Sequence, residues 1–177
     1  MKNFIIDVEA NGPCPGLYSM VSFGAVLVDG KNHVTFKGKV KPITDLYDPE
    51  AYKAIGVTYE EHLTYNDPLE VMMAFNKWVK NTVGSDRATF ISDNNGFDWQ
   101  FINYYFHKYV KSNPFGFSSR RIGDLYAGYV GDITASNKWK YLRKTKHNHD
   151  ALTDAIGNAE ALWDIMNMMK KENNSII

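Results

Sequence analysis

Asp7 and Glu9 stand two residues apart at the end of the apolar run Asn3-Phe4-Ile5-Ile6-Asp7-Val8-Glu9. Along a strand, residues i and i+2 point to one face, so the two carboxylates would stand side by side. Like charges that close repel unless a cation lies between them. The pair therefore points to a metal site, whereas an exposed Asp-x-Glu on an edge strand would mean little. Such a site needs further oxygen ligands, and a hydrolase needs a base. Two other stretches offer both. Asp98 follows the turn Asp93-Asn94-Asn95-Gly96 and falls in the first turn of a helix. In His149-Asp150-Ala151-Leu152-Thr153-Asp154, Asp150 is a natural N-cap, with His149 just outside the helix and Asp154 just inside it. A helix N-terminus favours an ionised carboxylate by ~0.3–1 kcal/mol. Taken singly, Asp98 and Asp150 read as caps, His149 as a surface histidine and Asp7 as a strand end. Taken together, Asp7, Glu9, Asp98 and Asp154 form a candidate four-carboxylate cluster with an imidazole beside it.

The elements that must position these residues follow from pattern. Phe4 to Val8 reads as a first, central strand, followed by the turn-rich Asn11-Gly12-Pro13-Cys14-Pro15-Gly16. Tyr18 to Val28 and His33 to Val40 read as strands joined at Asp29-Gly30, which makes β1–β3 an antiparallel meander. Residues 43–66 hold short helical turns near Pro49-Ala54 and Tyr59-Leu63. Asp67-Pro68-Leu69-Glu70 starts a helix that runs to about Thr82, with Leu69, Met72, Met73, Phe75, Asn76 and Val79 on its inner stripe. Ala88 to Ser92 is a short buried strand. The helix carrying Asp98 presents Phe97, Phe101, Ile102, Tyr105, Phe106 and Tyr109 on one side. Ser118 to Gly123 reads as a strand and Asp124 to Tyr129 as a short helix. The last helix carries the stripe from Ala151 through Met169, and Lys170 to Ser175 reads as a frayed polar tail. Strands first, then strands alternating with helices, describe an α/β domain with a mixed sheet.

Composition sets the bounds. The 177 residues are 44% apolar and 23% charged, as in an ordinary globular domain. Twenty basic and twenty acidic residues balance, so net charge is no argument for a nucleic-acid partner. One cysteine, Cys14, precludes an internal disulfide and fits a reducing compartment such as the cytoplasm. It has no basic neighbour to activate it and reads as a loop thiol. Asp7 and Glu9 interrupt the N-terminal apolar run, so it is no signal peptide, and no run is long enough to span a membrane. Charge is uneven only between Ile133 and His149. That segment holds Lys138, Lys140, Arg143, Lys144 and Lys146 with no acid, and Trp139 and Tyr141 alternate with the lysines. It reads either as a solvated loop or as a phosphate grip.

Asp7-Val8-Glu9, Asn95-Gly96-Phe97-Asp98 and His149-x-x-x-x-Asp154 resemble, in order, the three motifs of the DEDDh 3′–5′ exonuclease superfamily. Its members include oligoribonuclease, ribonuclease T, ribonuclease AS and proofreading exonucleases. The resemblance runs from residue 4 to about 162. Ile55-Gly56-Val57-Thr58 and Arg121-Ile122-Gly123-Asp124-Leu125 resemble the family's connecting segments. It implies a ribonuclease H-like, mixed five-stranded sheet flanked by helices, in a single exonuclease domain.

The resemblance also implies two Mg²⁺ or Mn²⁺ ions held by Asp7, Glu9, Asp98 and Asp154. His149 would be the base, preferred to His147 because four residues separate it from Asp154, as in the motif. Asp98, which follows Phe97, is likewise preferred to Asp93. The implied reaction releases nucleoside 5′-monophosphates from the 3′ ends of single-stranded RNA or DNA, with RNA slightly favoured by the small size of the chain. Many relatives are homodimers, so a homodimer is the implied assembly. Main-chain groups of Ala10, Asn11 and Gly12 are expected to meet the terminal nucleotide, with Met20 and Phe23 as a wedge. Lys138, Lys140 and Arg143 would grip phosphates, and Trp139 and Trp99 would stack bases, although Trp99 reads equally as core. Family members often carry Thr soon after the motif Glu, where this chain has Ala10-Asn11-Gly12, and the Pro-rich loop is longer. Both departures bear on substrate preference. The alternatives are an accessory proofreading subunit of a polymerase, or an inactive nucleic-acid-binding module.

Overall fold

The computed structural model describes residues 1–175. Its sheet has five strands in the order β3-β2-β1-β4-β5. Strand β1 (Lys2–Ala10) is central. It pairs antiparallel with β2 (Met20–Leu27), which pairs antiparallel with β3 (Thr35–Lys39). On its other side β1 runs parallel to β4 (Ala88–Ser92), and β4 parallel to β5 (Ser119–Arg121). The mixed sheet expected from the strand pattern is therefore present. The β2–β3 turn is built by Asp29, whose carboxylate accepts from the N–H groups of Lys31 and Asn32 at 2.9 and 3.1 Å.

Among the described residues six α-helices flank the sheet: α1 (Pro49–Ile55), α2 (Tyr59–Leu63), α3 (Pro68–Val83), α4 (Asn95–Tyr105), α5 (Ile122–Val130) and α6 (Ala151–Ser175). Period-two alternation along β1 sorts the core. Phe4, Ile6 and Val8 join Phe23, Met72, Phe75, Phe101 and Ile102 on one face of the sheet. Ile5 joins Val26, Trp139, Ala155, Ala159 and Leu162 on the other. Asp7 and Glu9 continue the Ile5 register, so their side chains face α6. Both faces of β1 are covered, which explains its unbroken apolar run.

The first turn of α6 lies unusually close to the sheet because Gly24, the register partner of Asp7, has no side chain. A Cβ there would lie 2.4 Å from Leu152 Cα and 2.5 Å from Ala151 O. Gly24→Ala should therefore displace the start of α6, costing about 1–3 kcal/mol of stability and lowering activity. Urea midpoints and turnover would be compared with Gly128→Ala, whose added Cβ meets nothing within 4 Å. A Gly24→Ala protein as stable and active as wild type would contradict this packing.

Several expectations are corrected. On α3 only Met72 of the methionine pair is core. Met73 and Leu69 are about half exposed, because Val71 takes the inner position instead. Lys170 to Ser175, expected as a polar tail, is helical, since α6 continues through Ser175. Ile176 and Ile177 lie outside the described residues. Beyond Tyr105 the helix widens into a π turn at Phe106–Val110, ended by Lys111 with φ +64°. Trp139 is fully buried, inside a 3₁₀ turn at Lys138–Leu142. No described helix is long and apolar enough to cross a membrane.

Candidate active site

The candidate residues converge at the carboxyl end of β1, where open α/β sheets bind ligands. One carboxylate oxygen each of Asp7, Glu9 and Asp154 lies within 4.8 Å of the others. Asp98 enters from the first turn of α4, and its Oδ1 accepts from the Val8 N–H at 3.0 Å. That bond ties the helix start to the strand carrying the carboxylate pair. The second oxygen, Asp98 Oδ2, is buried without a hydrogen-bond partner.

Asp154 is almost fully buried and held by its own loop. Its Oδ1 accepts from the Asn148 N–H at 2.9 Å, and its Oδ2 accepts from the His149 N–H at 3.0 Å. His147 Nδ1 lies 2.7 Å from the same Oδ2. The expected N-cap is present too, with Asp150 Oδ1 accepting from the Thr153 N–H and hydroxyl, both at 3.0 Å. The loop wraps Asp154 because His149 adopts φ +60°. Non-glycine residues rarely take that left-handed conformation, which costs on the order of 1–3 kcal/mol. It leaves the imidazole half exposed, with Nδ1 3.9 Å from Glu9 Oε1. The rings of His147 and His149 pack edge to face with centroids 4.4 Å apart.

Burial, followed by the nearby charges of Asp154 and Asp150, pushes the Glu9 carboxyl up to about 8. Asp7 is raised well above the usual carboxylate range, first by burial and then by Asp98, Glu9 and Asp154. Burial also raises Asp98, opposed by the nearby Ser92 side chain and then by the hydrogen bond from the Val8 N–H. Such a cluster is unstable as four bare anions and is relieved by hard cations. Its donors toward the cluster are carboxylate oxygens, one of them orphaned, which suits Mg²⁺ or Mn²⁺. The residues present therefore fit the divalent ions that the DEDDh family uses.

Most of the expected substrate contacts are placed otherwise. Met20 and Phe23 are fully buried and cannot wedge a terminal base; Phe23 packs between Phe36 and Phe75. Trp139 is equally inaccessible, because its ring is core with Arg143 stacked 4.8 Å over it. Asn11 spends its main chain internally, donating to Ser19 O at 2.9 Å and accepting from Asp48 N–H at 2.8 Å. Its amide oxygen accepts from Ser19 N–H and its amide nitrogen donates to Tyr52 Oη at 3.1 Å. Tyr52 Oη in turn meets His62 Nδ1 at 2.6 Å, and His62 Nε2 meets Val40 O at 2.8 Å. Burial pulls the His62 pKa down, so the neutral ring that this chain of bonds needs is the favoured form. Ala10 is buried at the end of the β1–β2 ladder, and Gly12 is covered by Tyr18, whose Cδ1 would lie 2.0 Å from an added Cβ. Tyr18, expected to open the second strand, instead precedes it and stands where main-chain contacts were expected. Trp99 is partly buried, edge-on to Phe90 at 5.0 Å, and also lines a shallow surface cavity. Lys138 turns toward Asp132 at 3.7 Å, whereas Lys140 and Arg143 meet Asp93 at 2.8 and 3.1 Å.

Comparison with known proteins agrees with this geometry. The RNase_T exonuclease family profile matches residues 4–162. The chain is 35% identical over 179 residues to the 3′-5′ DNA exonuclease Cap18 of Escherichia coli, covering 94% of this chain and 92% of the relative. Its fold resembles the nuclease domain of 3′hExo, a DEDDh family member solved bound to rAMP. The TM-score is 0.75 at 16% identity, over 94% of this chain and 92% of that one. It also resembles E. coli exonuclease I in complex with a dA16 oligonucleotide, with a TM-score of 0.64 at 17% identity, over 94% of this chain and 43% of that one. The chain belongs to the RNase_T exonuclease family, and its fold is that of a DEDDh nuclease.

Proposed function

We propose that this exonuclease removes nucleotides one at a time from the 3′ ends of single-stranded DNA, releasing nucleoside 5′-monophosphates. The observation that carries the reading is the convergence of Asp7, Glu9 and Asp154 within 4.8 Å, next to the orphaned Asp98 Oδ2. In this reading Asp7, Glu9, Asp98 and Asp154 hold two divalent ions, which when bound supply positive charge to the attacking and leaving oxygens of an in-line displacement. The His149 imidazole takes a proton from the attacking water. Asp154 fixes the loop that presents His149 through the His149 main-chain N–H, and His147 steadies the Asp154 carboxylate. Water adds to phosphorus, the 3′-oxygen of the upstream sugar departs with a proton, and the strand is one nucleotide shorter.

Support for DNA over RNA comes from the name of the 35%-identical relative, a DNA exonuclease. The slight RNA preference expected from the sequence rested on chain size alone. Matched 5′-labelled DNA and RNA strands should both be tested with Mg²⁺ and with Mn²⁺. DNA is expected to shorten stepwise and faster. Faster loss of RNA would reverse the preference, and a ladder undiminished by Asp98→Asn would sink the site assignment.

A further inference from the structure

We propose that a basic pocket beside the carboxylates seats a phosphate of the substrate strand upstream of the scissile linkage. The inference rests on the exonuclease reading and adds a second anchoring point to it. Asp93, Arg121, Asn137, Lys140, Arg143 and His147 help to line a cavity of about 510 Å³, within the range of ligand sites. Asp93 gathers three cations. Its Oδ2 accepts from Lys140 at 2.8 Å and from Arg143 at 3.1 Å, and its carbonyl accepts from Arg121 Nε at 3.1 Å. Arg121 Nη1 also pairs with Asp124 at 3.2 Å, so three cations face two carboxylates and leave an excess of one positive charge, in a chain whose formal net charge is zero. A purely structural ion pair needs only one cation and encloses no cavity.

The pocket is also stiff and partly unsatisfied. Arg143 is stacked on the buried Trp139 ring, and its Nε is buried without a partner. Guanidinium and ammonium groups retain donors beyond those that Asp93 takes up, and such donors suit phosphate oxygens. Adjacency links the pocket to the chemistry. His147 lines it and stands 2.7 Å from Asp154. The charge of Asp93 is felt at both Asp7 and Asp98. A terminal nucleotide with a free 3′-hydroxyl carries a single phosphate, the one being cut. Any second phosphate within reach therefore belongs to an upstream linkage.

Lys140→Ala and Arg121→Ala test the assignment, and Arg143 is left in place because it packs on the core. Two substrates are compared: thymidine trinucleotide, and the p-nitrophenyl ester of thymidine 5′-monophosphate, which has no upstream phosphate. The trinucleotide-to-ester ratio of kcat/KM should fall at least tenfold in each variant. Binding of a labelled oligothymidylate in Ca²⁺, followed across KCl concentrations, should show its log–log salt slope reduced by about 0.7 per lost contact. Equal losses on both substrates, or a wild-type ratio and slope, would overturn the pocket assignment alone. A wild-type protein that cleaves neither substrate would overturn the exonuclease reading, and this inference with it.

Discussion

Asp7→Asn is expected to stop phosphodiester hydrolysis and, at the same time, to make the metal-free protein melt at a higher temperature. The two effects share one cause. Asp7 lies on the central strand, faces α6 and is surrounded by Asp98, Glu9 and Asp154. As a metal ligand it would hold charge against the reacting phosphate, and losing one such group costs at least about 10²–10³ in kcat. Without a cation the same carboxylate is a buried anion among anions. A carboxyl whose folded pKa exceeds its unfolded value withdraws stability as pH rises between the two. For Glu9 that window runs from the ordinary 4.5 to about 8, and Asp7 shifts in the same direction. Metal-free wild type should therefore lose stability from mildly acidic to mildly alkaline pH. Asp7→Asn and Glu9→Gln should flatten that loss, and Mg²⁺ or Mn²⁺ should abolish it in wild type. His62 works in the opposite sense. Its lowered pKa makes stability fall as pH drops through the unfolded imidazole range. The difference between wild type and each variant isolates the carboxylates. Each 1 kcal/mol recovered should raise the Tm by about 2–4 °C for a chain of this size. Thermal melts at pH 5, 6.5 and 8, in EDTA and in Mn²⁺, give the answer. A metal-free Asp7→Asn protein that melts below wild type at pH 8 would contradict the cluster.

His149→Ala should lower kcat by ~10²–10⁴, the range for removing a positioned base, with little change in single-strand binding. His147→Ala should cost less, because its ring reaches Asp154 while Nδ1 of His149 faces Glu9. Added imidazole should restore part of the His149→Ala rate and none of the His147→Ala rate. The reverse pattern would transfer the base to His147. The comparison is sharp because the rings are only 4.4 Å apart and share a loop.

Much of this site was readable because its residues sit at places with local signatures. Asp7 and Glu9 fall on a strand whose period of two fixes a shared face. Asp98 and Asp154 fall in first turns announced by a turn tetrad and by the Asp150 cap. The central place of β1 was legible for the same reason, since an apolar run buried on both faces must be central; the order of β4 and β5 beside it was not. What eluded the pattern was the direction of individual side chains. Trp139 alternates with lysines as an exposed stacking residue would, yet tertiary packing buries it with Ile5 and Val26. Met20 and Phe23 are apolar residues beside a ligand loop, and they fill one core cluster because β2 is buried on both faces and a register shift opposite Glu9 and Ala10 brings these residues, three apart, to the same side. The Asn11–Tyr52–His62 network joins residues up to 51 positions apart, and no local period encodes it. Arg121 reaches the carbonyl of Asp93, 28 positions away, and His147 turns to Asp154 only once the loop before α6 has folded.

The central claim is that this carboxylate cluster, with divalent metal, hydrolyses strands from their 3′ ends. Product chemistry tests it most directly. A single-stranded DNA of defined sequence would be digested in H₂¹⁸O with Mg²⁺, and the products identified by mass spectrometry. Nucleoside 5′-monophosphates bearing one ¹⁸O on phosphorus are expected, appearing in order from the 3′ end and absent in EDTA. Nucleoside 3′-monophosphates, cleavage of a circular strand, or turnover undiminished by EDTA would contradict the claim.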